Sequence, residues 1–74
     1  MLTYNLDHGS KTPLYEQLSN AIKADILSGV IPGGEKLPSK RTLAEHLNIS
    51  KVTVESAYQQ LLAEGYLTAR EMVG

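Results

Sequence analysis

The stretch SKVTVESAYQQLLAEG, residues 50–65, decides the fold of this 74-residue chain. Ser50 is a suitable N-cap, because its hydroxyl can accept a hydrogen bond from a free amide in the first helical turn. Gly65 suits the left-handed conformation that often ends a helix. Between them, four apolar residues recur at helical spacing and predict a buried face: Val54, Ala57, Tyr58 and Leu61.

The opposite face of this predicted helix carries short polar side chains. At about 100° per residue, that face consists of Val52, Ser56 and Gln59, flanked by Lys51 and Glu55. An exposed valine usually has no role, but in a DNA groove Val52 suits the methyl group of thymine. A helix with one buried stripe and such an outer face can lie in the major groove of DNA, and this is our interpretation.

A second helix is predicted directly before the first stretch. Ser39 is placed to cap residues 40–47, and Asn48 and Ile49 form a tight turn because asparagine tolerates positive φ. Three residues form the inner face of this helix: Leu43, Ala44 and Leu47. Two capped helices joined by so short a turn predict a helix-turn-helix.

A longer helix precedes this pair. We expect Thr12 as its N-cap, Pro13 at its first position and Gly29 at its end. Its apolar stripe predicts core scaffold: Leu14, Leu18, Ile22 and Ile26, widened by Tyr15, Ala21 and Leu27. Residues 1–11 show no clear period and are predicted to be a flexible lead-in.

Short strands are expected on either side of the helix-turn-helix. Residues 30–34 are an apolar run broken by a proline and two glycines, which predicts a strand fragment leading into a turn. Lys36 and Leu37 can add a short edge strand, and residues 66–69 also have strand character. Three tyrosines are predicted to lie in the core: Tyr15, Tyr58 and Tyr66.

Composition limits the classes of protein that fit. The length suits one small domain, and 42% hydrophobic residues favour a folded chain over a disordered one. No apolar run approaches a membrane span and no signal peptide is present, so no membrane partner is expected. The absence of cysteine excludes disulfides and thiolate metal sites and suits the cytoplasm. His8 and His46 lack partners at metal-ligand spacing, and no catalytic set is evident, so we predict neither a metal site nor an enzyme.

The net charge of −1 is low for a nucleic-acid module, but the charges are unevenly distributed. Residues 36–54 hold four cations and one carboxylate, a net charge of +3, whereas the rest holds three cations and seven carboxylates, a net charge of −4. A local excess of cations is what attracts a phosphate backbone.

A family resemblance rests on two runs of sequence. LPSKRTLAEHLNISKVTVESAYQQLLAEGYL, residues 37–67, resembles the DNA-binding domain of the GntR family of bacterial transcription regulators, and residues 13–39 resemble its first helix and Pro-Gly turn. The resemblance covers residues 12–74. The run AYQQLLAEGYL is most similar to the MocR subfamily, in which this domain precedes an aminotransferase-like body that holds pyridoxal phosphate.

The resemblance implies a mainly α fold: a three-helix winged helix-turn-helix with a small antiparallel β wing. Residues 67–70 would form the first wing strand, and Gly74 matches the glycine before a returning strand that these residues lack, so the wing looks truncated. Met72 stands where the family often has a wing glycine. The domain is therefore expected at residues 12–74, with the C-terminal effector domain, and pyridoxal phosphate if that domain is MocR-type, absent from this chain. No cofactor is expected within the 74 residues.

The resemblance also implies DNA contacts. Ser39 and Arg41 match family residues at the start of the second helix, and Lys51 replaces an arginine, which keeps the charge but loses the bidentate fork. Thr53 matches a threonine that often meets phosphate. The predicted DNA-binding set is Lys36, Ser39, Lys40, Arg41, Ser50, Lys51, Val52, Thr53, Glu55, Ser56, Gln59 and Arg70. Without the family pattern, the simplest interpretation of Arg41 is a solvated residue that pairs with Glu45, four residues later on the same helix.

These observations predict sequence-specific binding to a double-stranded operator, with residues 50–64 in the major groove, by the N-terminal domain of a GntR-type regulator. Members of the family bind as dimers held by the effector body, so we expect a homodimer for the full-length protein and mainly monomer for this chain. The alternative is a winged helix that binds protein and not DNA, which the acidic total and Glu55 favour.

Glu55 departs from the family pattern, since some members carry arginine there. One hypothesis is that Glu55 pairs with Lys51 one turn earlier and suppresses non-specific DNA affinity. The rival hypothesis is that its carboxylate accepts a hydrogen bond from the N4 amino group of a cytosine.

Overall fold

The computed structural model describes residues 2–71, and within them the chain forms three α-helices. Helix α1 spans Leu14–Ser28, α2 spans Lys40–Leu47 and α3 spans Lys51–Ala63. The mainly α class and the helix-turn-helix formed by α2 and α3 are confirmed. The predicted residues Met72 and Gly74 lie outside the described part of the chain.

Helix α3 is the centre of the domain, because it packs against both α1 and α2. Its predicted inner face is buried, with exposed fractions of 0% for Val54, Ala57 and Leu61 and 1% for Tyr58. The other helices contribute Leu18, Ile22 and Leu43 to the same core at 0% exposure. The apolar stripes read from the sequence therefore meet on one helix.

Local signals set the helix ends of the helix-turn-helix. The hydroxyl of Ser39 accepts a hydrogen bond from the Thr42 amide at 3.1 Å, and the hydroxyl of Ser50 accepts one from the Thr53 amide at 3.0 Å. Asn48 adopts the left-handed conformation, with φ 57°. Each cap satisfies a backbone group that the helix end leaves free, so both predicted caps and the turn are confirmed.

The start of α1 differs from the prediction. Thr12 is not its N-cap; Pro13 occupies that position with an extended ψ of 148°, and no side chain caps the helix. The Gln17 side chain instead donates from its amide to the carbonyl of Thr12 at 2.8 Å. The amides of Glu16 and Gln17 both donate to the Pro13 carbonyl at 3.1 Å, so the first helical hydrogen bonds start from Pro13 and not from Thr12.

The predicted apolar stripe of α1 was too wide. Tyr15 is 37% exposed and Leu27 is 69% exposed, so neither lies in the core. Both residues are helical neighbours of buried positions, but only one stripe of α1 faces α3. Tyr66, by contrast, is half-buried and packs against the core, as predicted.

The predicted strands do not form within residues 2–71. Ile31 donates its amide to the Asp25 carbonyl at 3.0 Å and so completes the end of α1, and a turn follows in which Gly34 has φ 83°. Residues 68–71 form another turn, closed by the Glu71 amide on the Thr68 carbonyl at 3.2 Å. The Leu37 amide donates to the Glu71 carbonyl at 2.8 Å, but one such bond is not a ladder.

The segment predicted as a flexible lead-in makes specific contacts. Leu2, Tyr4 and Leu6 pack against the core, and the hydroxyl of Tyr4 donates to the Asp25 carboxylate at 2.8 Å. Burial, followed by the hydrogen bond to Asp25, raises the pKa of the Tyr4 phenol. The alternation of apolar and polar residues was the signal for this packing, and it was missed because the run is short.

None of the helices in the described part of the chain has the length and apolar character needed to cross a membrane.

Candidate nucleic-acid interface

The start of α2 and the start of α3 repeat one four-residue pattern. Ser39–Thr42 reads SKRT and Ser50–Thr53 reads SKVT. In each, serine is the N-cap, lysine is the first helical residue and threonine supplies the bonded amide. The threonine hydroxyl also lies 2.8 Å from the Ser39 hydroxyl in α2 and 2.7 Å from the Ser50 hydroxyl in α3.

The two helix starts converge on one open depression with a volume of about 340 Å³. Four side chains line it: Ser39, Lys40, Arg41 and Lys51. Neither helix has an acidic residue in its first turn, and the positive ends of the two helix dipoles add to the three side-chain charges, one of which Glu55 offsets. The local field therefore favours an anion, and the predicted residues are brought together although α2 and α3 supply them separately.

Arg41 is exposed, and the described ion pairs do not include a contact with Glu45. The guanidinium therefore keeps its planar set of donors available, a geometry that matches a phosphate or the edge of guanine. Lys51 is likewise exposed at the first turn of α3.

The outer face of α3 continues from this depression. Val52 is 68% exposed, Gln59 is exposed and Ser56 is half-buried. A second open depression, of about 660 Å³, runs along this face and is lined by Glu55, Ser56, Gln59, Gln60 and Ala63. Gln60 was not among the predicted contacts. Its position four residues after Ser56 was the available signal, since i and i+4 share a helical face.

Glu55 makes a different ion pair from the predicted one. Its carboxylate accepts a hydrogen bond from the ammonium of Lys40, in α2, at 2.9 Å. That hydrogen bond, and then the charge of Lys40, lowers the pKa of Glu55, and the charge of Lys51 contributes least. The predicted pairing with Lys51 is wrong because α2 and α3 approach each other here, which helical spacing on α3 alone cannot reveal.

The last two predicted residues lie away from the first depression. Lys36 is exposed in the connection before α2, beside Leu37 and Pro38. Arg70 is exposed in the turn of residues 68–71. Neither lines the depression between the helix starts.

Tyr58 positions the interface from inside the core. Its hydroxyl donates to the Pro38 carbonyl at 2.8 Å, directly before the Ser39 cap. Burial raises the pKa of the Tyr58 phenol to about 12. The sequence indicated that Tyr58 is buried but gave no partner for its hydroxyl.

Three comparisons with known proteins agree with this geometry. Residues 14–74 match the family model described as bacterial regulatory proteins, gntR family. The chain is 48% identical over 73 residues to the uncharacterized HTH-type transcriptional regulator YhdI of Bacillus subtilis, which covers 99% of this chain and 16% of that protein. It is 41% identical over 69 residues to the probable rhizopine catabolism regulatory protein MocR of Rhizobium meliloti, covering 93% of this chain and 14% of that protein.

A solved structure shows the same fold. YtrA from Sulfolobus acidocaldarius, a GntR-family transcription factor, superposes with a TM-score of 0.82 at 40% identity, over 89% of this chain and 72% of that one. The chain spans less than a fifth of the length of the Bacillus and Rhizobium relatives. With a helix-turn-helix of matching fold and a family match over residues 14–74, the chain belongs to the GntR family of bacterial regulatory proteins.

Proposed function

We propose that α3 lies in the major groove of an operator while the starts of α2 and α3 contact the phosphate backbone. One observation carries this proposal: the depression lined by Ser39, Lys40, Arg41 and Lys51 adjoins the exposed outer face of α3. Cations and helix N-termini suit phosphates. The adjoining short polar side chains and Val52 suit base edges.

Individual roles follow from side-chain chemistry. Arg41 has the fork that can bond guanine O6 and N7 together. Lys51 is a point charge beside a helix N-terminus, which suits one phosphate oxygen. Ser39, Ser50 and Thr53 already serve the caps, so a phosphate contact by them would be an additional role. Lys36 and Arg70 would reach DNA only at the edges of this surface.

Assembly and the wing are proposals of the same kind. Within residues 2–71, the exposed large apolar side chains are scattered and form no second stripe: Tyr15, Leu27, Val30 and Val52. We therefore expect this chain to be mainly monomeric and to bind one half-site weakly. The longer protein would be a cytoplasmic homodimer with a small β wing and, if MocR-type, pyridoxal phosphate in its effector body.

The proposal is tested by following backbone amide signals while duplex DNA is added at two salt concentrations. We expect shifts in residues 39–59 that weaken as salt rises, because phosphate contacts release bound counterions. The amides of residues 14–28 provide the internal control and should shift little. A protein-interaction domain would show no salt-dependent shifts with DNA, and that result would contradict the proposal.

A further inference from the structure

One of the three cations in the depression is already paired. The ammonium of Lys40 lies 2.9 Å from the Glu55 carboxylate. Neither Arg41 nor Lys51 makes an ion pair among residues 2–71. The pair joins α2 to α3 at the surface, with side-chain exposures of 29% for Lys40 and 48% for Glu55. A phosphate at Lys40 must therefore compete with a carboxylate of this chain.

We propose that Glu55 makes the phosphate contact of Lys40 depend on base sequence. On random DNA the carboxylate retains Lys40, and on the operator a cytosine amino group takes the place of Lys40 at Glu55 and releases it to a phosphate. This inference rests on the proposed position of α3 in the major groove. It goes further by assigning a preference for cytosine to Glu55 and by coupling that preference to the phosphate contact of Lys40.

The cost of releasing Lys40 from Glu55 on random DNA comes from charge. If Lys40 turned to a phosphate on random DNA, Glu55 would be left as an unpaired carboxylate near other phosphates. Like charges at close range are unfavourable, and water is partly excluded from an interface. The hydrogen bond from Lys40, followed by the charge of Lys40, lowers the pKa of Glu55 and so favours its ionised form.

The choice of cytosine comes from hydrogen-bonding chemistry. An ionised carboxylate only accepts hydrogen bonds. In the major groove, cytosine offers its N4 amino group as a donor, and an acidic side chain is the usual partner. Adenine also has an amino donor, but its neighbouring N7 is an acceptor that repels a carboxylate. Glu55 is three residues after Val52 and four before Gln59, so it shares the base-facing side of α3.

A double-mutant cycle tests the retention of Lys40. The probes are Lys40→Gln, Glu55→Gln and the double variant, each titrated with a random-sequence duplex by fluorescence anisotropy. With Glu55 present, Lys40→Gln removes no phosphate contact, so the slope of the log–log salt dependence should change little, although affinity falls because Glu55 is left unpaired. In the Glu55→Gln background, the same change should flatten the log–log salt dependence by about 0.9, as expected for one lost phosphate contact. Equal changes of the salt slope on Lys40→Gln in both backgrounds would overturn the proposal.

The matched control is Glu16→Gln, which removes one exposed carboxylate from the first turn of α1, outside the helix-turn-helix. Glu55→Gln should bind the random duplex more tightly and with a steeper salt dependence. Over 50 to 200 mM salt it should lose roughly 3.5-fold more affinity than the wild-type chain, the effect of one added phosphate contact. If Glu16→Gln matched this gain, net charge and not the Lys40–Glu55 pair would be the cause.

The base preference is tested by enriching duplexes from a randomised library with the wild-type chain and with Glu55→Gln. We expect one C·G position in the wild-type set that is lost in the Glu55→Gln set, while the other positions are kept. Identical sets would overturn the proposal. If the wild-type chain bound no duplex in a salt-dependent way, the proposed function itself would fail. If the wild-type chain bound DNA but Glu55→Gln changed neither affinity nor base preference, only this inference would be overturned.

Discussion

The thirteen residues of α3 are divided between an inner and an outer face that differ in burial. On the inner face, Val54, Ala57, Tyr58 and Leu61 are at most 1% exposed and contact both other helices. On the outer face, Val52 is 68% exposed, although it is as apolar as Val54. The comparison teaches that position on the helix, and not residue type, separates stability from function in this domain.

The largest effect is expected from the inner face. Leu61→Ala should lower the free energy of unfolding by about 2–5 kcal/mol, because it removes a fully buried side chain and leaves a cavity. Urea unfolding followed by circular dichroism measures this loss. DNA affinity, measured at a temperature where the variant is folded, should be unchanged.

Val52→Ala on the outer face is the control for Leu61→Ala. It should change the free energy of unfolding by no more than about 0.5 kcal/mol, as is usual for surface substitutions. Should Val52→Ala destabilise the domain as much as Leu61→Ala, the division of α3 into two faces would be wrong.

The next largest effects are expected at Arg41 and Lys51, and they should differ between selected and random duplexes. Arg41→Ala should cost about 1–3 kcal/mol on the selected duplex and relax one base position, because it removes a bidentate base contact. Lys51→Ala should weaken selected and random duplexes alike and flatten the log–log salt dependence by about 0.9. Anisotropy titrations on both duplexes at several salt concentrations measure both effects.

Both variants should keep wild-type stability, since both side chains are exposed. If Arg41→Ala and Lys51→Ala lost affinity equally on selected and random duplexes, the assignment of Arg41 to a base would be contradicted.

The smallest effect is expected at the second ion pair, which joins Lys23 of α1 to Glu64 at the end of α3. Lys23 lies 3.1 Å from Glu64 and 5.2 Å from the centre of the Tyr66 ring, at the junction of α1 and α3. The hydrogen bond from Gln60, followed by that from Lys23, lowers the pKa of Glu64. A lowered folded-state pKa adds stability that is present above the unfolded-state pKa and is lost as pH falls through the folded-state value.

Glu64→Gln should therefore lower Tm slightly at neutral pH, and the difference from wild type should vanish in acid. Thermal unfolding at a series of pH values measures this. Glu64→Gln should leave affinity for the random duplex unchanged, whereas Glu55→Gln should raise it. An increase in DNA affinity for Glu64→Gln would remove the functional distinction between the two ion pairs.

The sequence alone determined the elements whose signals are local. A serine cap, helical spacing of apolar residues and an asparagine in the turn each act within a few residues, so α2, α3 and the buried face of α3 were predicted with their bounds. The family pattern rests on the same local run. Thr12 and the strands were predicted less well, because Pro13 changes the entry to α1 and strands need partners from elsewhere in the chain.

Only the tertiary structure decided which side chains meet across helices. Lys40 and Glu55 are 15 positions apart and belong to different helices, so no spacing rule pairs them. The same holds for Tyr58 with Pro38 and for the packing of Leu2, Tyr4 and Leu6 on the core. The Lys40–Glu55 and Tyr58–Pro38 contacts depend on how α2 and α3 approach each other. That approach is set by the core as a whole, because close packing admits few arrangements.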